Sequence, residues 1–281
     1  MNNPYLPTLV EVVQIKVESI DSALFRLKFK NLAQQKKFAF RQGQFMLLSF
    51  PGAGEGAFTI CSASSQARNY FEVCIRQVGF LTEKFMSLKK GDFLYVRGPY
   101  GNGWPVFDKL KNQNLLLIGG GCGFVPIRGL VEEIIASKYS SKQKVQVLYG
   151  CATEQTLLFK DEFDSWLKND VQLLISLERQ KKFYQYLNQK AIKGNLGDLF
   201  AKKKVMKPAT ALIVGPSAMF KPIIKELKKL GYTDTDIYFS IERRMHCGIG
   251  ICQHCAVNNI YVCKDGPIFN LDDLDNNPEL L

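Results

Sequence analysis

The sequence predicts a three-part protein with an N-terminal antiparallel barrel, a doubly wound parallel-sheet α/β domain and a small C-terminal cysteine module. Short strands follow one another through the first hundred residues almost without helices, which is typical of a small barrel. From Asn114 onward, buried strands alternate with helices, which indicates a parallel sheet covered on both faces. Near the C-terminus, half of the eight cysteines fall within 17 residues. These observations predict divisions at 1–111, 112–237 and 238–281.

In the predicted barrel, apolar and polar residues alternate on both sides of a turn at Asp21. Strands are predicted within 8–30 and at 44–50, 70–77 and 92–97, with one short helix around Phe85.

Two stretches of the barrel have features of a binding site. Residues 57–62 follow the glycine-rich loop PGAGEG, and residues 76–82 lead from a strand through Gly79 into the helix. A helix N-terminus with free N–H groups suits a pyrophosphate. An ordinary barrel turn is the alternative for each stretch.

The middle part contains a glycine run, Gly119 to Gly123, at the carboxyl end of its first buried strand. Doubly wound sheets bind nucleotides at this position, although Pro126 replaces the third glycine of the dinucleotide fingerprint. A second turn, Gly215-Pro216, ends a later strand at the same predicted edge, and the two turns together favour a ligand. The predicted strands are 115–118, 145–151, 171–178 and 210–214, and the predicted helices are 126–139, 156–169 and 217–231.

The C-terminal cysteines follow the spacing C-x4-C-x2-C-x7-C, and their first three reproduce the plant-type iron–sulfur pattern. They are Cys247, Cys252, Cys255 and Cys263. This spacing favours a [2Fe–2S] cluster over a zinc ribbon, which usually pairs two C-x2-C motifs. A Rieske centre and disulfides are further alternatives. A Rieske centre is less suited because four cysteines already complete a thiolate shell. Disulfides are less suited because we expect no secretory signal from the pattern of the first residues.

Composition narrows the class of protein. Hydrophobic residues make up 46% and charged residues 22% of the 281, as in a globular protein of two domains with a small module. The longest nearly apolar run, 115–127, is too short and too glycine-rich to span a bilayer. The net charge of +11 is dispersed and forms no nucleic-acid motif, so an acidic redox partner or an anionic cofactor is favoured. We expect a cytoplasmic protein without membrane insertion.

Together these motifs resemble the ferredoxin–NADP reductase superfamily from about residue 8 to 270. The C-terminal cysteine module is similar to those of the dihydroorotate dehydrogenase electron-transfer subunit, the B-type subunit of anaerobic sulfite reductase and the sulfhydrogenase gamma subunit. The segments RGPYGNGWP, ERRMHCGIGICQHC and YVCKDGPIFN most resemble the latter two groups.

The resemblance implies three cofactor sites. In the family's flavin motif R-x-Y-[ST], Gly56 stands at the arginine position and Phe58 at the tyrosine position. The resemblance implies that FAD, with FMN less favoured, binds near Phe58, Thr59, Ile60, Arg76, Gly79 and Thr82. It implies NAD(P)H near Gly120, Gly121, Cys122, Gly123, Pro126, Gly215, Pro216 and Met219. It also implies a [2Fe–2S] cluster on the four cysteines.

The implied activity is that of an NAD(P)H-oxidising electron-transfer subunit. Nicotinamide gives up two electrons at once, whereas a cluster accepts one, so a flavin is needed between them. We expect Thr59 to act at the flavin by positioning rather than by acid–base chemistry. The expected partner is a sulfite or sulfur reductase or a hydrogenase, itself an iron–sulfur or metalloenzyme subunit.

Alternatives remain open. The alternative functions are those of a dihydroorotate dehydrogenase electron-transfer subunit, a stand-alone NAD(P)H flavin reductase, and a scaffold protein that binds zinc. Arg179, Lys181 and Lys182 follow the third strand and suit either a 2′-phosphate or a solvated turn, so the choice between NADH and NADPH stays open.

Overall fold

The computed structural model describes residues 3–180, 184–186 and 189–274. Its N-terminal part is one antiparallel sheet with the strand order β4-β3-β6-β1-β2-β5. A bridge between Ile60 and Val73 links the end of β4 to β5 and closes the sheet into the predicted barrel. The elements are β1 (Thr8–Val17), β2 (Ser22–Phe29), α1 (Leu32–Lys37), β3 (Phe45–Phe50), β4 (Gly54–Thr59), β5 (Phe71–Arg76), α2 (Phe80–Met86) and β6 (Phe93–Tyr100).

The glycine-rich segment before residue 57 is more ordered than expected. Only its first residues form a turn, and Gly54 already begins β4, which pairs with β3 from Phe50 to Phe45. A two-strand ladder rather than a loop therefore delivers Phe58 and Thr59 to the site.

The middle part is a seven-stranded sheet with the order β12-β9-β8-β7-β13-β14-β17, in which β17 is Ile268–Asn270, and it is parallel except for its last pair. Its core elements are β7 (Leu115–Gly120), α3 (Phe124–Ala136), β8 (Val145–Cys151), α4 (Phe163–Lys168), β9 (Val171–Leu177), β12 (Ile192–Lys193), α5 (Leu196–Lys202), β13 (Thr210–Val214), α6 (Ser217–Lys229) and β14 (Ile237–Ser240). The prediction of a doubly wound sheet is confirmed. Outside this sheet, two strands of two residues each, β10 (Gln185–Tyr186) and β11 (Gln189–Lys190), pair antiparallel with each other.

The helix predicted over 156–169 is wrong in its first half, because only Phe163–Lys168 is α-helical. Leu157 is extended, with φ −65 and ψ 128, and Phe159 lies in the left-handed region at φ 58, so the chain is not helical between them. The Phe159 N–H donates to the Glu18 carboxylate of the barrel at 2.8 Å. This segment is therefore shaped by its contact with the other domain.

The cysteine module is built from β15 (Ala256–Val257), β16 (Ile260–Tyr261), α7 (Val262–Asp265) and β17 (Ile268–Asn270). It leaves the large sheet after β14 and returns to it as β17, which pairs antiparallel with β14. Three of its cysteines lie in the same apolar cluster as Phe45 of the barrel and Phe220 of α6. The module is thus packed against both larger parts.

No helix in residues 3–180, 184–186 and 189–274 has the length and apolar character needed to cross a membrane.

Candidate functional site

A cavity of about 180 Å³ lies where the barrel meets the large sheet. We call it the barrel cavity. Its walls bring together residues from all three parts of the chain: Ser22, Ala57, Phe58, Thr59, Cys74, Arg76, Cys122, Val125, Pro126, Leu158 and Glu242. Five of the predicted site residues therefore meet here, and two of them, Cys122 and Pro126, come from the nucleotide motif.

Six of the eleven residues that line the barrel cavity carry polar or ionisable side chains, among them Thr59, Arg76 and Cys122. Thr59 lines it, and its hydroxyl has no hydrogen-bond partner among the described residues. Arg76 donates from Nε to Asp21 Oδ2 at 2.7 Å, which fixes its guanidinium at the cavity wall. Burial raises the pKa of Cys122, although nearby Arg76 opposes the shift. Cys122 is therefore a neutral thiol at neutral pH, which suits a wall residue better than a nucleophile.

The loop before α2 differs from the expected anion site. The N–H groups of Val78 and Gly79 both donate to Thr82 Oγ1, at 2.9 and 3.0 Å. Thr82 in turn donates to the Gly79 carbonyl at 2.8 Å. These two donors are thus used within the loop, and neither Gly79, Thr82 nor the buried Ile60 lines the barrel cavity.

A second cavity of about 440 Å³ lies at the carboxyl edge of the large sheet, and we call it the sheet cavity. Gly120, Gly121, Pro216 and Met219 line it, as predicted for a nucleotide site. A Cβ on Gly120 would lie 2.5 Å from Met219 Sδ, and one on Gly123 would lie 2.6 Å from Gly215 Cα. The two glycine turns therefore pack directly together, and larger residues would close the cradle.

Sequence reasoning missed Glu242 and Glu178. Glu242 follows β14 and lines the barrel cavity, where partial desolvation raises its pKa. Glu178 follows β9 and lines the sheet cavity, next to Arg179, while Lys181 and Lys182 lie outside the described residues. The carboxyl ends of parallel strands meet at one edge of the sheet. Applied to the residues that follow β9 and β14, this rule would have indicated Glu178 and Glu242.

The four predicted cluster ligands lie in one loop system and receive several backbone N–H groups. The N–H groups of Ile249, Ile251 and Cys252 point at Cys247 Sγ, at 3.4, 3.4 and 3.5 Å. The Gly250 N–H donates to Cys263 Sγ at 3.2 Å. Burial opposes ionisation of Cys247, but its three donors outweigh burial and lower its pKa to about 6. Burial and the adjacent Cys255 raise the pKa of Cys263 to about 12.

The arrangement fits an iron–sulfur cluster better than a single ion. N–H groups directed at cysteine sulfurs are a recurring means of tuning such clusters. In the described part of the chain, no three Cys, His, Asp or Glu side chains gather around a single point. The preference for a cluster over a zinc ribbon rests on the cysteine spacing and on the N–H groups directed at the sulfurs of Cys247 and Cys263.

Arg97 connects the cysteine loop to the barrel. Its guanidinium is buried, pairs with Glu55 of β4, and donates to the backbone carbonyls of His246 at 2.8 Å and Cys247 at 3.3 Å. Gly248, at φ +78, lies against the ring of Tyr100, the last residue of β6. The start of the cluster loop is therefore held by β6, which also pairs with β3.

The barrel, the glycine cradle and the cysteine loop define a flavin- and nicotinamide-dependent oxidoreductase with an iron–sulfur centre. Three family models match in series and together span most of the chain. They are an oxidoreductase FAD-binding domain at residues 9–104, an oxidoreductase NAD-binding domain at 117–225, and the iron–sulfur cluster binding domain of dihydroorotate dehydrogenase B at 242–275.

Full-length relatives narrow the class. The gamma subunit of sulfhydrogenase 2 from Pyrococcus furiosus is 36% identical and aligns over 96% of this chain and 97% of its own. A probable dihydroorotate dehydrogenase B electron transfer subunit from Methanocaldococcus jannaschii is 33% identical and aligns over 87% of this chain and 85% of its own. The chain therefore belongs to the ferredoxin–NADP reductase superfamily, among the subunits that combine FAD, NAD(P) and iron–sulfur domains.

Solved structures agree on the fold. A chain of the NADH-dependent reduced ferredoxin–NADP oxidoreductase superposes with a TM-score of 0.72 and 23% identity, over 100% of this chain and 94% of its own. The FAD/NAD-binding domain of nitric oxide dioxygenase from Vibrio cholerae superposes with a TM-score of 0.69 and 15% identity, over 84% of this chain and 98% of its own. At this identity the likeness concerns the fold alone.

Proposed function

We propose that this chain oxidises NAD(P)H and passes the electrons to a partner reductase, either a sulfite or sulfur reductase or a hydrogenase. The barrel cavity carries the proposal, because Thr59, Pro126 and Glu242 bring the barrel, the nucleotide cradle and the segment leading to Cys247 to one space. When bound, the flavin would accept a hydride and release electrons singly to the cluster.

The residues divide the work among three sites. Phe58, Thr59 and Arg76 hold the flavin, while Ile60 supports them from the core and residues 79–82 shape the adjoining loop. Gly120, Gly121, Pro216 and Met219 hold the nucleotide, and the Gly123–Gly215 contact keeps their turns together. Cys247, Cys252, Cys255 and Cys263 hold the cluster. We place the boundaries of the three units near residues 111 and 237.

The sulfhydrogenase relative favours a hydrogenase or sulfur-reducing partner, because its identity and coverage exceed those of the dihydroorotate dehydrogenase relatives. A cytoplasmic location is part of the proposal, since none of the eight cysteines, all of which lie in the described residues, forms a disulfide, and a reducing compartment keeps cysteines in that state.

A Cys263→Ser variant tests the electron route. Under anaerobic conditions NADH or NADPH should still bleach its flavin, but delivery to a protein acceptor such as cytochrome c should fall steeply. Cys61→Ser is the control, because Cys61 is buried outside the cluster loop, and it should keep wild-type iron content. Full cytochrome c reduction by Cys263→Ser without iron would refute the route through the cluster.

A further inference from the structure

Helix α3 approaches the barrel unusually closely just after β4. A Cβ on Gly129 would lie 2.9 Å from Cys61 Cα and 2.7 Å from Gln42 Oε1. Real Cβ atoms do not come this close to backbone atoms, and a backbone carbon cannot turn away as a long side chain does. Only glycine at position 129 allows this separation between the helix and the barrel.

Polar groups on both sides of Gly129 hold the same approach. Arg128 Nη1 donates to the Cys61 carbonyl at 2.7 Å and to Glu72 Oε2 at 2.6 Å. One turn further along the helix, the Glu133 carboxylate accepts from the Ser64 N–H and from Gln42 Nε2 at 3.3 Å. We call the contact of Arg128, Gly129 and Glu133 with residues 61–64 the α3 seam.

The barrel side and the helix side of the α3 seam each lie next to a residue that lines the barrel cavity. Thr59 precedes Cys61 by two residues, Pro126 precedes Arg128 by two residues, and both Thr59 and Pro126 line the cavity. A rigid helix transmits a displacement at Gly129 to Pro126 in its first turn, which adjoins the turn that carries Cys122. The width of the cavity between its barrel wall and its nucleotide wall is therefore tied to the seam.

We propose that the α3 seam sets the separation between the flavin and the nicotinamide, with Gly129 and Glu133 as positioning residues. This rests on the proposed function. Hydride transfer breaks a C–H bond of NAD(P)H, adds the hydride with both its electrons to the oxidised flavin, and leaves NAD(P)⁺. Such a transfer requires reacting atoms about 3–3.5 Å apart, and a misplacement of about 1 Å costs on the order of a hundredfold in rate.

Gly129→Ala tests the seam, because the added Cβ would push helix α3 away from the barrel. We expect the limiting rate of flavin reduction at saturating nucleotide to fall about tenfold to a hundredfold. The dissociation constant of the nucleotide, the FAD content and the rate of reduction by dithionite should stay at wild-type values. The long-wavelength charge-transfer absorption of bound nicotinamide with flavin should weaken, which a purely stabilising role of Gly129 would not cause.

Two adjacent glutamates supply a matched pair in case Gly129→Ala folds poorly. Glu133→Ala removes the acceptor for Ser64 and Gln42, whereas Glu132 instead accepts from Trp166 Nε1 within the large sheet domain, at 3.1 Å. Glu133→Ala should lower the limiting rate and the charge-transfer absorption and speed amide exchange at residues 61–64. Glu132→Ala should lower the unfolding temperature alone.

The outcomes separate the two proposals. Wild-type protein that contains flavin and is reduced by dithionite but by neither NADH nor NADPH would overturn the proposed function. If wild type is reduced by a nucleotide and both Gly129→Ala and Glu133→Ala keep its limiting rate and charge-transfer absorption, the seam proposal alone is overturned. Equal losses in Glu132→Ala and Glu133→Ala would also overturn it.

Discussion

At the residue scale, the site depends on a few side chains whose surroundings leave them one role each. Thr59 presents an unpartnered hydroxyl, among the described residues, to the barrel cavity, whereas the nearby Cys122 is held neutral by burial. Arg97 is committed to Glu55 and to the cluster loop, so its charge supports that loop instead of facing a substrate.

Thr59→Val should slow reduction of the flavin by NAD(P)H about tenfold or more, because a hydrogen bond to the flavin is lost while the shape of the wall is kept. Stopped-flow absorbance measures this rate. Thr59→Ser retains the hydroxyl and should stay close to wild type. Reduction of Thr59→Val at the wild-type rate would show that the hydroxyl has no part in the reaction.

Arg97→Gln should destabilise the folded protein by about 3 kcal/mol, because it breaks a buried ion pair and frees two carbonyls of the cluster loop. Denaturant unfolding gives this free energy, and iron analysis should show partial loss of the cluster. Arg41→Gln is the control, since the Arg41–Asp108 pair is exposed and contributes at most about 1 kcal/mol. Equal effects of the two changes would count against the bridging role of Arg97.

At the scale of elements, the sequence predicted regular segments with clear periodicity and missed short ones. α1 was not predicted because it is polar and six residues long; its boundary is set by Asn31, which accepts from the Ala33 N–H at 2.9 Å. The extended segment ending at Phe159 was mistaken for helix because its shape comes from Glu18, far away in sequence. The ligand cysteines were predictable because spacing alone defines their motif. Glu242 could be placed near a strand end by the rule for parallel sheets, but its position in the barrel cavity depends on how β14 packs against the barrel.

The cluster loop offers an element-scale test at Gly248. Gly248→Ala should reduce iron content and stability by more than backbone strain alone, because its Cβ would lie 2.5 Å from the Tyr100 ring. Gly52→Ala is a matched control: Gly52 has φ +79 and open space around it, so the change should cost only about 1–2 kcal/mol. Calorimetry and iron analysis of both variants measure the difference. Equal losses of stability, with full iron in Gly248→Ala, would show that the loop does not depend on the contact with Tyr100.

At the scale of the whole molecule, the three parts share their cores and meet at one cavity. One apolar cluster includes Leu24 and Cys61 of the barrel with α3 and β8 of the large sheet, and another includes Phe45 with Cys247, Cys255 and Cys263. Electron carriers must lie close together to exchange electrons quickly, and Glu242, which lines the barrel cavity, precedes the predicted ligand Cys247 by only five residues. The sequence predicted the three parts and their order, but their contact surfaces depend on distant residues that no local pattern reports.

The visible absorption spectrum of anaerobically purified protein, before and after addition of NADH or NADPH, tests the account most directly when iron and zinc are quantified in the same sample. We predict flavin bands with a broad iron–sulfur shoulder, about two iron atoms per chain for a [2Fe–2S] cluster, and bleaching of both features by one of the nucleotides. A colourless protein that contains zinc, or a coloured protein that neither nucleotide bleaches, would contradict the account.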